Sequence, residues 1–97
     1  MTGYIIARVN VTDPAKYEDY KALSPGAVAA HGGRFLVRGG AMKTLEGEPE
    51  DRRVVVLEFP TMEAAETFYH SAEYAAAKEK RHGAAEFQMI LLEGYAA

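Results

Sequence analysis

Arg34-Phe35-Leu36-Val37-Arg38-Gly39, residues 34–39, is the stretch on which the reading of this chain turns. Phe35 and Val37 alternate with Arg34, Leu36 and Arg38, the period of two that a β-strand imposes on its side chains. One side of the strand is wholly apolar, and the other repeats arginine. A strand built this way belongs to a sheet whose two faces have different jobs. Glycine pairs bracket it. Gly32-Gly33 ends a preceding helix where a left-handed backbone is needed, and Gly39-Gly40 leads into a long turn.

Outward from this strand, the same alternation returns twice. Arg53 to Phe59 sets Val55, Leu57 and Phe59 against Val54, Val56 and Glu58. Tyr4 to Val11 sets Ile5, Ala7, Val9 and Val11 against Tyr4, Ile6, Arg8 and Asn10. Between the second and third strands, Gly40 to Arg52 holds Glu46-Gly47-Glu48-Pro49-Glu50-Asp51, which reads as the solvated tip of a long hairpin.

Helices fill the gaps. Thr12-Asp13-Pro14 is a helix start, with Asp13 accepting from free backbone donors and Pro14 wasting none. Tyr17, Tyr20 and Leu23 then share one side. Ser24-Pro25 should break or kink this helix, or begin a new turn toward Val28. Pro60-Thr61 opens a second helix with Thr61 as cap. It carries Ala65, Phe68, Tyr69 and Ala72 inward, and Glu63, Glu66 and His70 outward. Ser71 to His82 continues it after an irregularity, and Gly83 closes it. Phe87 to Gly94 is the last strand, apolar on both faces and therefore expected where both sides are covered.

The resulting order, βαββαβ, predicts a ferredoxin-like α+β domain spanning 1–97. Its antiparallel sheet has the order 4-1-3-2, and both helices lie on one face. The helix side then collects Ile5, Ala7, Val9, Phe35, Val37, Val55, Leu57 and Phe59. The open side collects Tyr4, Ile6, Arg8, Arg34, Leu36, Arg38, Val54, Val56 and Glu58, a mixture too apolar for exposure. A second copy packed face to face would cover it, with Tyr4, Ile6, Arg8, Leu36, Val54, Val56 and Glu58 in the interface of a dimeric α+β barrel. If Gly40 faces Arg52, then Leu36 faces Val56 and Arg34 faces Glu58, with Arg8 also in reach of Glu58. A bulge at Gly39-Gly40 would shift this register.

Composition narrows the chemistry. The 97 residues are 48% apolar and 26% charged, enough for one globular domain of modest stability. No signal-like leader or membrane-length apolar run is present, which predicts a cytoplasmic protein without membrane contact. Absence of cysteine removes disulfides, thiolate nucleophiles and cysteine-ligated metals. A net charge of −3 argues against nucleic acid, as do Ile6, Val54, Val56 and Glu58 where an RNA-binding sheet needs exposed aromatics and cations. His31, His70 and His82 lack metal-ligand spacing, and Arg38-Gly39-Gly40 lacks the helix start and Lys-Ser/Thr of a phosphate loop, so neither metal nor cofactor is expected.

What chemistry is left lies between helices and sheet. Tyr17, Tyr20, Phe68, Tyr69 and Tyr74 direct rings at the sheet, as plain core or as the walls of a cleft. In the second case Tyr17, Tyr20, Arg34, Arg38, Phe68 and Tyr69 would bind a small organic ligand, the arginines orienting a carboxylate or phenolate. Arg8, Arg34 and Arg38 point to the open face on this assignment, and fit pairing across it better than catalysis. His31, at a helix end that favours its charged form, is a capping group or a proton-transfer group. Together with Tyr17 and Tyr69 it makes the set of catalytic candidates. His70, four residues after Glu66, reads as half of a solvated pair.

A resemblance adds to this. Val11-Thr12-Asp13-Pro14 with Tyr17 and Tyr20, then Gly32 through Gly40, then Val56-Leu57-Glu58-Phe59-Pro60, then Tyr69 with Ser71-Ala72-Glu73-Tyr74, resemble the uncharacterised family called domain of unknown function 1330. The resemblance covers nearly the whole chain. It implies a dimeric α+β barrel related in fold to small cofactor-independent monooxygenases, and it supplies no catalytic residues. Two functions stay open: a cofactor-independent enzyme resembling small monooxygenases or isomerases, and a non-catalytic ligand-binding or interaction dimer.

Overall fold

The computed structural model describes residues 1–96. Strands β1 (Gly3–Val11), β2 (Arg34–Arg38), β3 (Arg53–Phe59) and β4 (Ala85–Glu93) form one antiparallel sheet in the order β2-β3-β1-β4. This is the expected 4-1-3-2 order read from the other edge, and the fold is ferredoxin-like α+β. Helices α1 (Pro14–Ala30), α2 (Met62–Tyr69) and α3 (Ala72–Lys80) all lie on one face. The second helical segment is thus two helices. Ser71 divides them because its hydroxyl caps α3 at the Tyr74 amide while donating to the Phe68 carbonyl.

The other helix signals act as their chemistry requires. Asp13 accepts from the Lys16 amide at 3.1 Å, and Thr61 from the Ala64 amide at 2.9 Å. Gly32, at φ 77°, turns the chain out of α1 while the Gly33 amide closes back on the Val28 carbonyl. Two expectations for α1 fail. The helix runs unbroken through Pro25, and its buried stripe is Tyr17, Tyr20, Ser24, Ala27 and Val28, leaving Leu23 42% exposed. Alternating steps of three and four from Tyr17, to Tyr20 and then to Ser24 and Ala27, select Ser24 over Leu23.

Register is correct at one end of β2 and wrong at the other. Arg34 faces Glu58 and Phe35 faces Leu57, but Val37, not Leu36, faces Val56, and Arg38 faces Val55. The extra residue is Leu36, so the bulge falls inside the strand and not at Gly39-Gly40. One inserted residue exchanges the faces of everything after it. Val37 therefore joins the open side, and Arg38 joins the helix side.

The core lies between sheet and helices. Phe59, Phe68, Ala65, Tyr74 and Ala77 are fully buried there. Ring pairs tie the layers together: Phe59 to Phe68 at 4.9 Å and Phe68 to Tyr74 at 4.6 Å between centroids. β4 is an edge strand with Phe87, Met89 and Leu91 turned to the core, while Ile90 and Leu92 stay exposed on the other face. That outer apolar row has no cover among the described residues. No helix is long and apolar enough to cross a membrane among the described residues.

Candidate functional site

Two recesses open between the helices and the sheet, divided by Phe87 and Met89, which wall both. The inner one lies beneath α1 and is about 30 Å³, room for little more than a water molecule. Tyr17, Tyr20 and Phe68, expected together as ligand contacts, do meet here. The Tyr17 and Tyr20 rings are packed against one another and against Phe87 of β4, with Tyr17 to Tyr20 at 5.5 Å and Tyr20 to Phe87 at 5.4 Å, and Tyr74 stands between Tyr20 and Phe68. The Tyr20 and Tyr74 hydroxyls lie 2.8 Å apart, and Tyr74 donates onward to the Met89 sulfur at 3.6 Å. With its own proton so used, Tyr74 accepts from Tyr20. Burial, reinforced by Tyr74, pushes the Tyr20 phenol far above its ordinary value, so it stays protonated. Burial also raises Tyr17, against the opposing influence of Arg53.

Arg38 stands at the rim of this inner recess because of the Leu36 bulge. Pro25 has no amide proton for the Lys21 carbonyl four residues back, and Arg38 Nη2 donates to that oxygen at 3.2 Å. The substitute donor explains why α1 passes through a proline intact. Arg38 also covers the Phe35 ring at 4.6 Å. Arg53 joins it from β3, 5.9 Å from the centre of the Tyr17 ring, with a buried Nε that has no partner among the described residues. Arg53 shares its parity with Val55, Leu57 and Phe59, so period-two counting was enough to place it on this side.

The outer recess is a cleft of about 430 Å³ between α2, α3 and the helix-side face of β1 and β4, opening past the β4 edge. Ile5, Met89 and Leu91 make an apolar floor, and Glu66, Tyr69, His70, Lys78 and Arg81 supply polar walls. Lys78 Nζ donates to the Tyr69 hydroxyl oxygen at 2.9 Å and sits 4.5 Å above that ring. With its oxygen accepting from Lys78, the Tyr69 hydroxyl keeps its own proton to donate. Glu66 and His70 are exposed and bound to each other only through the backbone, where the His70 amide donates to the Glu66 carbonyl.

The expected ligand set is therefore divided. Tyr69 belongs to the outer cleft, whereas Tyr17, Tyr20, Phe68 and Arg38 belong to the inner recess. Arg34 belongs to neither. It is on the opposite face of the sheet, 70% exposed, with Nε 2.7 Å from Glu58. His31 is also outside both: it caps α1, bonds Glu73 Oε1 at 3.1 Å and stands edge-on to Phe68. The His31 hydrogen bond holds the Glu73 carboxyl below its usual range, which ties the end of α1 to the start of α3. Lys78 and Arg81 escaped the sequence reading, although their spacing of three on one helix puts them on the same face.

On the open face, Tyr4, Ile6, Arg8, Val54, Val56 and Glu58 share one side of the ladder as expected. Arg8 does not reach Glu58. Its neighbours are Gln88, and Glu50 at 3.2 Å, because Glu50 folds back from the hairpin loop and is also gripped by Arg52. The acidic loop is solvated but anchored at this one carboxylate. Among the described residues, no group of three or more histidine, aspartate or glutamate side chains is placed to hold a metal.

Residues 2–95 match the family described as Domain of unknown function (DUF1330). No curated protein matches the chain. Among solved structures, the RPA0582 protein of unknown function from Rhodopseudomonas palustris is similar over 99% of this chain and 84% of its own, at 20% identity and a TM-score of 0.75. A dimeric ferredoxin-like protein of unknown function from Jannaschia sp. CCS1 covers 97% of this chain and 100% of its own, at 13% identity and a TM-score of 0.71. SnoaB, a cofactor-independent oxygenase from Streptomyces nogalater, covers 99% and 95% at 14% identity and a TM-score of 0.62. At such identities the likeness is one of fold.

Proposed function

From the premise that this chain belongs to the DUF1330 family, we propose that it is a cytoplasmic, homodimeric α+β-barrel protein that holds a small organic molecule in the outer cleft. Each copy contributes one domain, and the two sheets meet through Tyr4, Ile6, Arg8, Leu36, Val54, Val56 and Glu58. The observation that carries the ligand reading is the cleft itself. Its 430 Å³ volume, apolar floor and few convergent polar groups are what small-molecule sites are made of. The apolar row on the open face, with Ile90 and Leu92 about 40% exposed beside Ile6 and Val56, supports the dimer. The similar Jannaschia protein is described as dimeric.

Catalysis, on this reading, needs no bound cofactor, and the fold is shared with SnoaB, described as a cofactor-independent oxygenase. Tyr69 is the group in position to pass a proton to a ligand, since its oxygen accepts from Lys78 and its hydrogen is free. Tyr17 and His31, the other candidates, lie outside this cleft. A second reading, a non-catalytic ligand-binding or interaction dimer, is favoured by the filled inner recess, where Tyr20 and Tyr74 satisfy each other. A fragment screen followed by amide chemical shifts tests the ligand reading. Binders are expected to move Tyr69, Met89 and Leu91 together, and a screen in which no fragment perturbs these residues would overturn it. Turnover by a bound fragment that Tyr69→Phe abolishes without loss of binding would select the enzyme over the second reading.

A further inference from the structure

Resting on the cleft as the ligand site, we propose a class of ligand for it: a small organic monoacid, with a ring-sized apolar body on Ile5, Met89 and Leu91 and a carboxylate received by Lys78 and Arg81. The two cations stand three residues apart at the C-terminal end of α3 and border the same cleft. Neither has a carboxylate within ion-pair distance among the described residues, in a chain whose net charge is −3.

Their donors are available. Lys78 uses one of three on the Tyr69 hydroxyl and keeps the others. Arg81 Nε is itself buried without an acceptor, so the donors that the side chain can offer a ligand are those of its two terminal nitrogens. The guanidinium is held in advance, 3.7 Å above the Phe87 ring and 5.7 Å from that of Tyr20. A fixed guanidinium edge presents two parallel donors, the match for two coplanar carboxylate oxygens. Glu66 on the facing wall sets a limit: its negative charge disfavours a second anionic group, so a monoacid fits and a diacid does not.

Benzoate and benzamide, equal in shape and different in charge, test this by amide shift titration of the full chain. Benzoate is expected to perturb Lys78, Arg81, Met89 and Leu91 and to bind at least about tenfold more tightly than benzamide. Arg81→Gln and Lys78→Met should each remove most of that difference, weakening benzoate and leaving benzamide little changed. Lys78 is only half-buried, so its variant keeps the test sound if Arg81→Gln does not fold. Equal binding of the two probes in the cleft would overturn the acid assignment and leave the cleft reading standing. Failure of both to perturb the cleft, with other fragments bound there, would also overturn the assignment. If no fragment of any kind binds there, both readings fall.

Discussion

The two faces of this sheet come from the same strands and are built on opposite rules. On the helix-covered face, Ile5, Ala7, Val9, Val55, Leu57 and Phe59 are at most 9% exposed, and some of the polar groups beside them are paired within the chain. Tyr20 bonds Tyr74, and Ser71 caps a helix. On the open face, Ile6, Val54, Val56, Ile90 and Leu92 are interleaved with Arg8, Arg34, Glu58 and Gln88, and the ion pairs are partly wet. Burial of apolar area stabilises the first face within one chain. The second gains comparable burial only from outside, and its exposed ion pairs each contribute under about 1 kcal/mol.

The largest effect expected from breaking this contrast is Phe68→Ala on the covered side. Phe68 is fully buried between Phe59 and Tyr74, so its truncation should cost about 3–5 kcal/mol in chemical denaturation. A loss under about 1 kcal/mol would mean that the core is not packed as described. Next in size is Val56→Arg on the open side, which would bury an unpaired charge if two copies meet there. It is expected to weaken dimerisation at least about a hundredfold, roughly 3 kcal/mol. Sedimentation equilibrium reads the shift to a 10.6 kDa species, and a wild type already at that mass would remove the dimer from the proposal.

A smaller change sharpens the comparison within the covered face. Tyr74→Phe keeps the ring and strands the Tyr20 hydroxyl, which should cost about 1–3 kcal/mol. No measurable loss would show that Tyr20 finds water instead.

The smallest effect concerns the loop on the open face. The side-chain hydrogen bond from Arg52 holds the Glu50 carboxyl well below its ordinary value of 4.5, at about 2. Because the folded value lies below the unfolded one, this tether is complete above about pH 4.5 and is lost as the pH falls toward 2. Carboxyl carbon shifts of Glu50, followed together with the Arg52 Nε–H signal, should titrate in that window. A Glu50 midpoint near 4.5 would show the loop to be free.

Much of this was legible in the chain. Period-two runs, Asp13, Thr61 and the glycine stops located the strands and the helix starts, because caps and alternation are local chemistry. Helical spacing also turns Tyr17, Tyr20 and Phe68 toward the sheet. That they gather in one recess, while Tyr69 stands apart in a cleft with Lys78 and Arg81, depends on distances between α1, α2 and α3. Ser24 holds the buried place expected of Leu23, because the inward stripe of α1 runs through Tyr17, Tyr20, Ser24, Ala27 and Val28.

By itself, then, the sequence determined the element order, the ferredoxin-like topology and the two-faced character of the sheet, since backbone sterics and side-chain periodicity act over a few residues. Only the tertiary structure decided where Arg38 points. A bulge at Leu36 carries it to the helix side, where it supplies the hydrogen bond that Pro25 withholds from Lys21. The bulge at Leu36 and the proline at 25 lie eleven residues apart, and the hydrogen bond that joins their consequences spans seventeen, so no local pattern couples a strand's extra residue to a helix's missing proton.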